Sequence, residues 1–273
     1  MMRSSTNRAL LALGLVAGAA AIPATPAGAQ ESTTWNWNGD LAQGRTVFLR
    51  NVNGDVRFVA GTGNKVEVTA VKRWRRGDPQ DVRVEARTLG GDIVICALWG
   101  ERATCDRDGY HGDRNDDDDD RSWRHRNNDV SVEFTVRIPA HARVEASTVN
   151  GEMRVEGTNA DIEATTVNGD VEALSNGGRV EARTVNGGIL VRTTATGTHD
   201  LEYTTVNGSI TIELPANSNV EVNLSVLNGR ISSDFPLTLN GDINPRRIRA
   251  SIGNGGARLR ANTVNGSIRI RKL

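Results

Sequence analysis

Four glutamates, Glu145, Glu163, Glu181 and Glu202, each stand five residues before an asparagine, and the first three open one phrase, Glu-Ala-x-Thr-Val-Asn-Gly. Carboxylates recurring at one strand position line one exterior face, the arrangement by which β-helical enzymes gather acids and bases on acidic polysaccharides. Catalysis of that kind needs a groove and convergent groups with shifted pKa. A single file of Glu alternating with Thr, Ser and Arg matches the wet face of a strand instead. His141 and His199 have no acid or nucleophile near them in sequence, and no Gly-x-Ser-x-Gly elbow, metalloprotease helix or phosphate loop occurs. No catalytic residue and no cofactor is therefore assigned.

A second acidic feature is Asp116, Asp117, Asp118, Asp119 and Asp120, between His111 and His125. Five carboxylates could hold a hard cation such as Ca²⁺, which takes oxygen ligands. The run lacks the alternating ligands and turn glycine of an EF-hand, so a solvated acidic loop tempered by arginine is the simpler expectation. The only cysteines, Cys96 and Cys105, are expected to form a disulfide that closes one loop, given an oxidising destination. That destination follows from the N-terminus: Arg3 and Arg8, an apolar stretch from Ala9 to Ile22, and Ala27-Gly28-Ala29 read as a secretory signal peptide over 1–29.

The elements that must position these groups are written as repeats. Val-Asn-Gly, or its Leu variant, ends at Gly54, Gly151, Gly169, Gly187, Gly208, Gly229, Gly241 and Gly266, with spacings of 18, 18, 21 and 21 from Gly151 to Gly229. Period-two alternation precedes the Asn (Val144, Ala146, Thr148) and resumes after the Gly (Met153, Val155), so each unit is two short half-buried strands joined at a corner. The corners are Asn53-Gly54, Asn150-Gly151, Asn168-Gly169, Asn186-Gly187, Asn207-Gly208, Asn228-Gly229 and Asn265-Gly266. Glycine accepts positive φ, asparagine tolerates the left-handed region, and stacked asparagines can hydrogen-bond along a column.

Two all-β architectures fit. In a β-solenoid each unit is one coil, with parallel neighbours about 4.8 Å apart. In an antiparallel meander or sandwich each Asn-Gly is a hairpin turn. The hairpin turns Val149, Val167, Val185, Val206 and Val264 outward, and the solenoid stacks Glu145, Glu163, Glu181 and Glu202 as like charges. The solenoid is favoured. Trp35 and Trp37, on one face ahead of the regular units, are expected to cap its open end rather than stack on sugars.

Organisation follows as a signal peptide over 1–29, an irregular β or capping region over 30–99, a polar acidic loop over 100–129 and a regular repeat region over 130–273, continuous with 30–99. Low aromatic content, 4%, suits thin sheets filled by Val, Ile, Ala and Thr. Without Arg3 and Arg8 the chain holds 31 basic and 33 acidic residues, so nothing pulls it as a whole toward nucleic acid, and a polyanion partner would need a local patch. No later segment is apolar enough to cross a membrane as a helix.

Val-Arg-Ile-Pro at 136–139 and the serial Thr-Val-Asn-Gly-Asp/Ser-Val/Ile units resemble the toastrack, or "putative adhesin", repeat family of bacterial exported proteins, over roughly Thr46 to the C-terminus. The resemblance implies an envelope role and carries no catalytic signature. The expectation is an exported, non-enzymatic scaffold in the periplasm or at the surface, with an adhesive or binding role toward an envelope glycan or another envelope protein. The rivals are a polysaccharide lyase or hydrolase and, from the resemblance alone, an envelope-stress sensor that binds a membrane protein or peptide.

Overall fold

Alternating small apolar and polar residues, interrupted by Asn-Gly, produce short strands that cannot bury their apolar faces alone and must stack. The computed structural model describes residues 31–112, 128–194, 199–240 and 244–273. The signal segment 1–29, the aspartates 116–120, His125, Trp123 and Gly241 lie outside the described residues. The chain opens with an edge strand, β1 (Glu31–Asp40). Next, β2 (Thr46–Arg50) and β3 (Val56–Ala60) form one complete coil. Three cap strands follow, β4 (Lys65–Trp74), β5 (Val82–Leu89) and β6 (Asp92–Trp99), then the small ribbon β7 (Thr104–Cys105) with β8 (Tyr110–His111). The only helical element among the described residues is a 3-10 turn at Pro79–Asp81.

The strand β9 (Ser131–Ile138) leads into four coils in sequence order: β10 (Arg143–Ser147) with β11 (Met153–Val155), β12 (Ile162–Thr165) with β13 (Val171–Ser175), β14 (Val180–Arg183) with β15 (Ile189–Thr193), and β16 (Leu201–Asn207) with β17 (Ile210–Leu214). The chain then builds β18 (Val220–Asn228) and β19 (Ile231–Ser233), the cap strands β20 (Thr238–Leu239) and β21 (Arg247–Ile252), and finally β22 (Ala257–Asn265) and β23 (Ile268–Lys272).

Two sheets face each other. One runs β1-β4-β9-β3-β11-β13-β15-β17-β23-β19, the other β20-β21-β18-β22-β16-β14-β12-β10-β2-β6-β5. All coil-to-coil pairings are parallel and in register; antiparallel pairing occurs at the caps, β1–β4–β9, β5–β6 and β18–β21–β20, and in the β7–β8 ribbon. The protein is thus a β-solenoid, and the meander survives only at its ends. At both ends the chain overshoots and returns. The coil β2–β3 lies between β6–β9 and β10–β11, and the last coil in sequence, β22–β23, lies between β16–β17 and β18–β19.

The core is a set of columns. Val144, Ile162, Val180, Leu201, Leu259 and Val222 stack in one, and Met153, Val171, Ile189, Ile210 and Ile268 in the column opposite, all buried. Each such side chain contributes roughly 1.5–3 kcal/mol by leaving water. Tyr203 fills one rung of an otherwise small column, between Ala182 and Ala261, fully buried. Its hydroxyl finds no hydrogen-bond partner among the described residues. At the first end Trp35 and Trp37, partly buried, pack against the core from β1.

Each residue of Thr-Val-Asn-Gly-Asp/Ser has a separate task. The buried threonine donates its hydroxyl to the glycine carbonyl of the preceding coil: Thr166 to Gly151, Thr184 to Gly169, Thr205 to Gly187 and Thr263 to Gly208, at 2.9–3.1 Å. The asparagines form an unbroken ladder, each Nδ2 donating to the Oδ1 one coil back at 2.7–2.8 Å, from Asn53 through Asn150, Asn168, Asn186, Asn207 and Asn265 to Asn228. After the glycine, Asp55, Asp170, Ser209 and Ser267 accept the backbone N–H of the next coil. A Cβ on Gly187 or Gly208, neither with φ in the left-handed range, would overlap the glycine carbonyl of the neighbouring coil.

Among the described residues no non-glycine residue has positive φ, so the asparagines are selected by their ladder and not by tolerance of left-handed backbone. And Val149, Val167, Val185, Val206 and Val264 are 36–39% exposed in the solenoid too, so their outward position does not discriminate against hairpins. Asn240, in the remaining Leu-Asn-Gly, stands outside the ladder and bonds to β21 through Arg249 and Ser251.

Three stability outcomes follow, all read by denaturant unfolding. Asn186→Ala removes two ladder bonds and costs about 1–2 kcal/mol, whereas Val185→Ala on the same corner costs less than about 0.5 kcal/mol. Gly187→Ala costs about 3 kcal/mol by overpacking against backbone. Tyr203→Phe, which removes an unpaired buried hydroxyl, is neutral or stabilising by up to about 1 kcal/mol; a loss larger than that would mean the hydroxyl has a partner.

Candidate functional site

The glutamate file lies on the outer face of the second sheet, where register sets Phe48, Glu145, Glu163, Glu181, Glu202 and Arg260 side by side on successive strands. The like-charge column anticipated from sequence is real, and arginines divide it. Arg50 Nη2 meets Glu145 Oε1 at 2.5 Å. Glu181, 9% exposed at its side chain, is held by Arg179 at 2.5 Å and by Arg183. Arg183 and Arg260 approach Glu202 at 3.8 and 3.7 Å.

Glu163 alone has no ion pair among the described residues. Partial burial, then the charges of Glu181 and Glu145, push its pKa above the usual carboxylate range, against the pull of Arg183 and Arg179. A raised carboxyl is the form a general acid takes. The flanking carboxylates that would have to serve as its base or nucleophile are Glu145 and Glu181, and both are bound to arginine. The file runs along a flat sheet face and converges on nothing.

The disulfide between Cys96 and Cys105, Cα atoms 6.4 Å apart, ties the loop after β6 back onto the outer face of that strand. Beneath the loop Phe48, Val94, Leu98 and Ala103 form a second small apolar cluster with Tyr110. Arginines fasten it from the side: Arg83 donates to the Glu101 and Ala103 carbonyls at 2.7 and 3.0 Å, Arg87 to Cys105 and Arg50 to Arg107. The loop thereby covers the start of the glutamate file. His111 pairs with Asp106 at 3.2 Å, and His141 rests 3.3 Å from the Leu41 carbonyl. Three metal-ligating side chains do not gather anywhere among the described residues, and the candidate ligands Asp116 to Asp120 fall outside them.

On the outer face of the first sheet lies a shallow groove of about 490 Å³, lined among others by Arg57, Arg154, Glu172, Leu190 and Thr211. Arg57 meets Glu156 at 3.1 Å, Arg154 bridges Glu156 and Glu172, and Arg192 meets Glu213 at 2.6 Å. Sequence reading left these pairs out. Their signal was the repeat period itself: Arg154 and Glu172 are 18 residues apart, Arg192 and Glu213 are 21, so each pair occupies one position on adjacent coils. No described helix is long and apolar enough to cross a membrane.

Comparison with known proteins adds the following. No curated protein matches the chain in sequence. Among solved structures it is similar to a "putative cell adhesion protein" from Clostridium sporogenes, with 9% identity, 89% of this chain and 100% of that one covered, and a TM-score of 0.48. It is similar to a "putative adhesin" from Bacteroides fragilis at 10% identity, covering 88% and 97% of the two chains, TM-score 0.39. A "putative lipid binding protein" from Parabacteroides distasonis matches at 8% identity, covering 88% and 96%, TM-score 0.24. One family model covers residues 45–271, from the first coil through the last, and by that match the protein belongs to the Toastrack DUF4097 family.

Proposed function

We propose that this protein is an exported, non-enzymatic scaffold of the bacterial envelope whose flat sheet faces serve as binding surfaces. The observation that supports the reading is the disposition of its carboxylates. They recur one per coil along open faces, and most are tied to arginine in pairs that a stacked sheet needs to offset like charge. A catalytic site would instead bring a few groups together in a cleft and leave them free to exchange protons. Residues 1–29 supply the reason to place it outside the cytoplasm, in the periplasm or at the surface.

The carbohydrate-active reading has one observation in its favour, the unpaired Glu163 with its raised pKa. Incubation of the purified protein with acidic and neutral polysaccharides, followed by size analysis, separates the two. The scaffold leaves chain length unchanged; depolymerisation that disappears in Glu163→Gln or Glu181→Gln establishes the enzyme.

Stability against pH gives a second measurement. A carboxyl whose folded pKa lies above its unfolded value binds its proton more readily when folded, so its ionisation destabilises the protein above the folded pKa, and that cost vanishes below the unfolded pKa. Glu163→Gln is therefore more stable than the parent at neutral pH, and the difference closes as pH falls through the carboxylate range. A Glu163→Gln variant less stable than the parent at pH 7 would contradict this placement. Fractionation with mass measurement checks export, the expected mature chain beginning at Gln30.

A further inference from the structure

From residue 230 to the C-terminus the chain holds nine basic and two acidic residues, in a protein whose total charge is balanced. The fold gathers five of these on one outer face. Strands β22, β18 and β21 are consecutive at the far end of the second sheet, and their outward positions fall in rows: Arg260, Asn223 and Arg249 in one, Asn262, Ser225 and Arg247 in the next. Arg258 precedes Arg260 on the same face of β22, and Arg246 stands in the turn before β21.

These arginines differ from those of the mid-stack. Arg50, Arg154, Arg179, Arg183 and Arg192 each lie against a carboxylate. Among the described residues Arg246, Arg247, Arg249 and Arg258 make no ion pair and are exposed, and Arg260 has Glu202 only at 3.7 Å. Glu221, exposed beside Arg258 in the adjoining row, is the one carboxylate on these three strands, so five guanidiniums against one anion raise the potential of the face and favour an anionic partner.

The face also has relief. A groove of about 410 Å³ runs along it, lined by the row Thr204, Asn262 and Ser225 that Arg247 continues, by Arg246, and by the aliphatic row Val206, Val264 and Leu227 beside it. Guanidinium groups read carboxylate and phosphate oxygens through paired N–H donors. Hydroxyls and amides in the first row suit sugar hydroxyls, and the aliphatic row suits the C–H faces of a pyranose ring. No aromatic side chain lines the groove, so the stacking platform that single-stranded nucleic acid uses is missing. The face spans four strands, roughly 14 Å at the usual spacing, enough for several sugar residues.

We infer that the Arg246, Arg247, Arg249, Arg258 and Arg260 face is a binding site for an acidic polysaccharide, its anionic groups on the guanidiniums and its sugar rings along the Val206–Val264–Leu227 row. The inference rests on the proposed non-enzymatic binding role and supplies its partner class.

Affinity electrophoresis and calorimetry of the purified full protein with polygalacturonate, and with neutral dextran, test the site. Polygalacturonate binds and dextran does not, and binding is lost near 1 M salt, where screening reaches about 3 Å. The double variant Arg247→Ala with Arg249→Ala loses tenfold or more in affinity with its thermal unfolding unchanged, as exposed positions allow. A charge-matched control, Arg75→Ala with Arg76→Ala at the opposite end of the stack, binds like the parent. The site is refuted if polygalacturonate does not bind at low salt, if the control loses as much as the patch variant, or if only phosphatidylglycerol vesicles bind. Shortening of the polygalacturonate would refute the non-enzymatic reading while leaving the site standing, so the two failures are distinguishable.

Discussion

At the glycine of each corner, coils in this protein meet backbone against backbone. The glycine of one corner rests on the glycine carbonyl of the neighbouring corner, so closely that a Cβ has no place there. This contact fixes the spacing at which every other column must repeat. At that spacing the asparagine amide reaches one coil back, the threonine hydroxyl reaches the same glycine carbonyl, and the Asp or Ser side chain reaches the next N–H. The polar groups a sharp turn would leave unsatisfied are thus paired by the neighbouring coil, not by the turn itself. A corner is stable only inside a stack, which is why the tripeptide has to recur.

The ends obey a different rule, because a terminal coil has no neighbour to complete it. In the first coil Asn51 replaces the usual threonine, and its amide donates to the Gly54 and Val132 carbonyls, bridging to a strand that has no Asn-Gly corner of its own. In the outermost coil at the far end, β18–β19, Val226 occupies the threonine position, and the Asn228 carboxamide oxygen ends the ladder. Antiparallel strands then cover what remains, with tryptophans at one end and β20–β21 at the other. Both terminal coils are laid down out of sequence order, so the cap and its neighbour are joined by local chain at each end. Fraying of a cap therefore also requires a buried interior coil to be disturbed.

Much of this was legible in the sequence, and what was not has identifiable causes. The seven ladder corners, the two-strand unit and the inward residues were readable because burial and period are local. The order of coils was not, since β22–β23 and β18–β19 are written in the same grammar and either could follow β17. The valine before each asparagine misled as an argument about architecture, because a corner exposes that position in hairpin and solenoid alike. The cross-coil pairs Arg154–Glu172 and Arg192–Glu213 were present as spacings equal to the repeat, but only a parallel register turns such spacing into contact. The arginine-rich end was concealed by the balanced net charge.

A solenoid separates what specifies its fold from what its surface can become. Inward columns and corner residues carry the stacking, while outward positions on both sheets answer only to the neighbour one coil away. In the middle of the stack that constraint is met by arginines set beside the glutamate file, which leave Glu163 alone of the four without an ion pair among the described residues. Beyond Glu202 the glutamate file gives way to Arg260, Asn223 and Arg249, which tolerate one another because the amide between them spaces the charges and water remains in reach. A carboxylate at position 223 would have set an anion between Arg260 and Arg249, as Glu221 stands beside Arg258 one row away, and an amide occupies that place instead. A surface that leaves its arginines unpaired, beside a groove, is shaped toward something outside the chain.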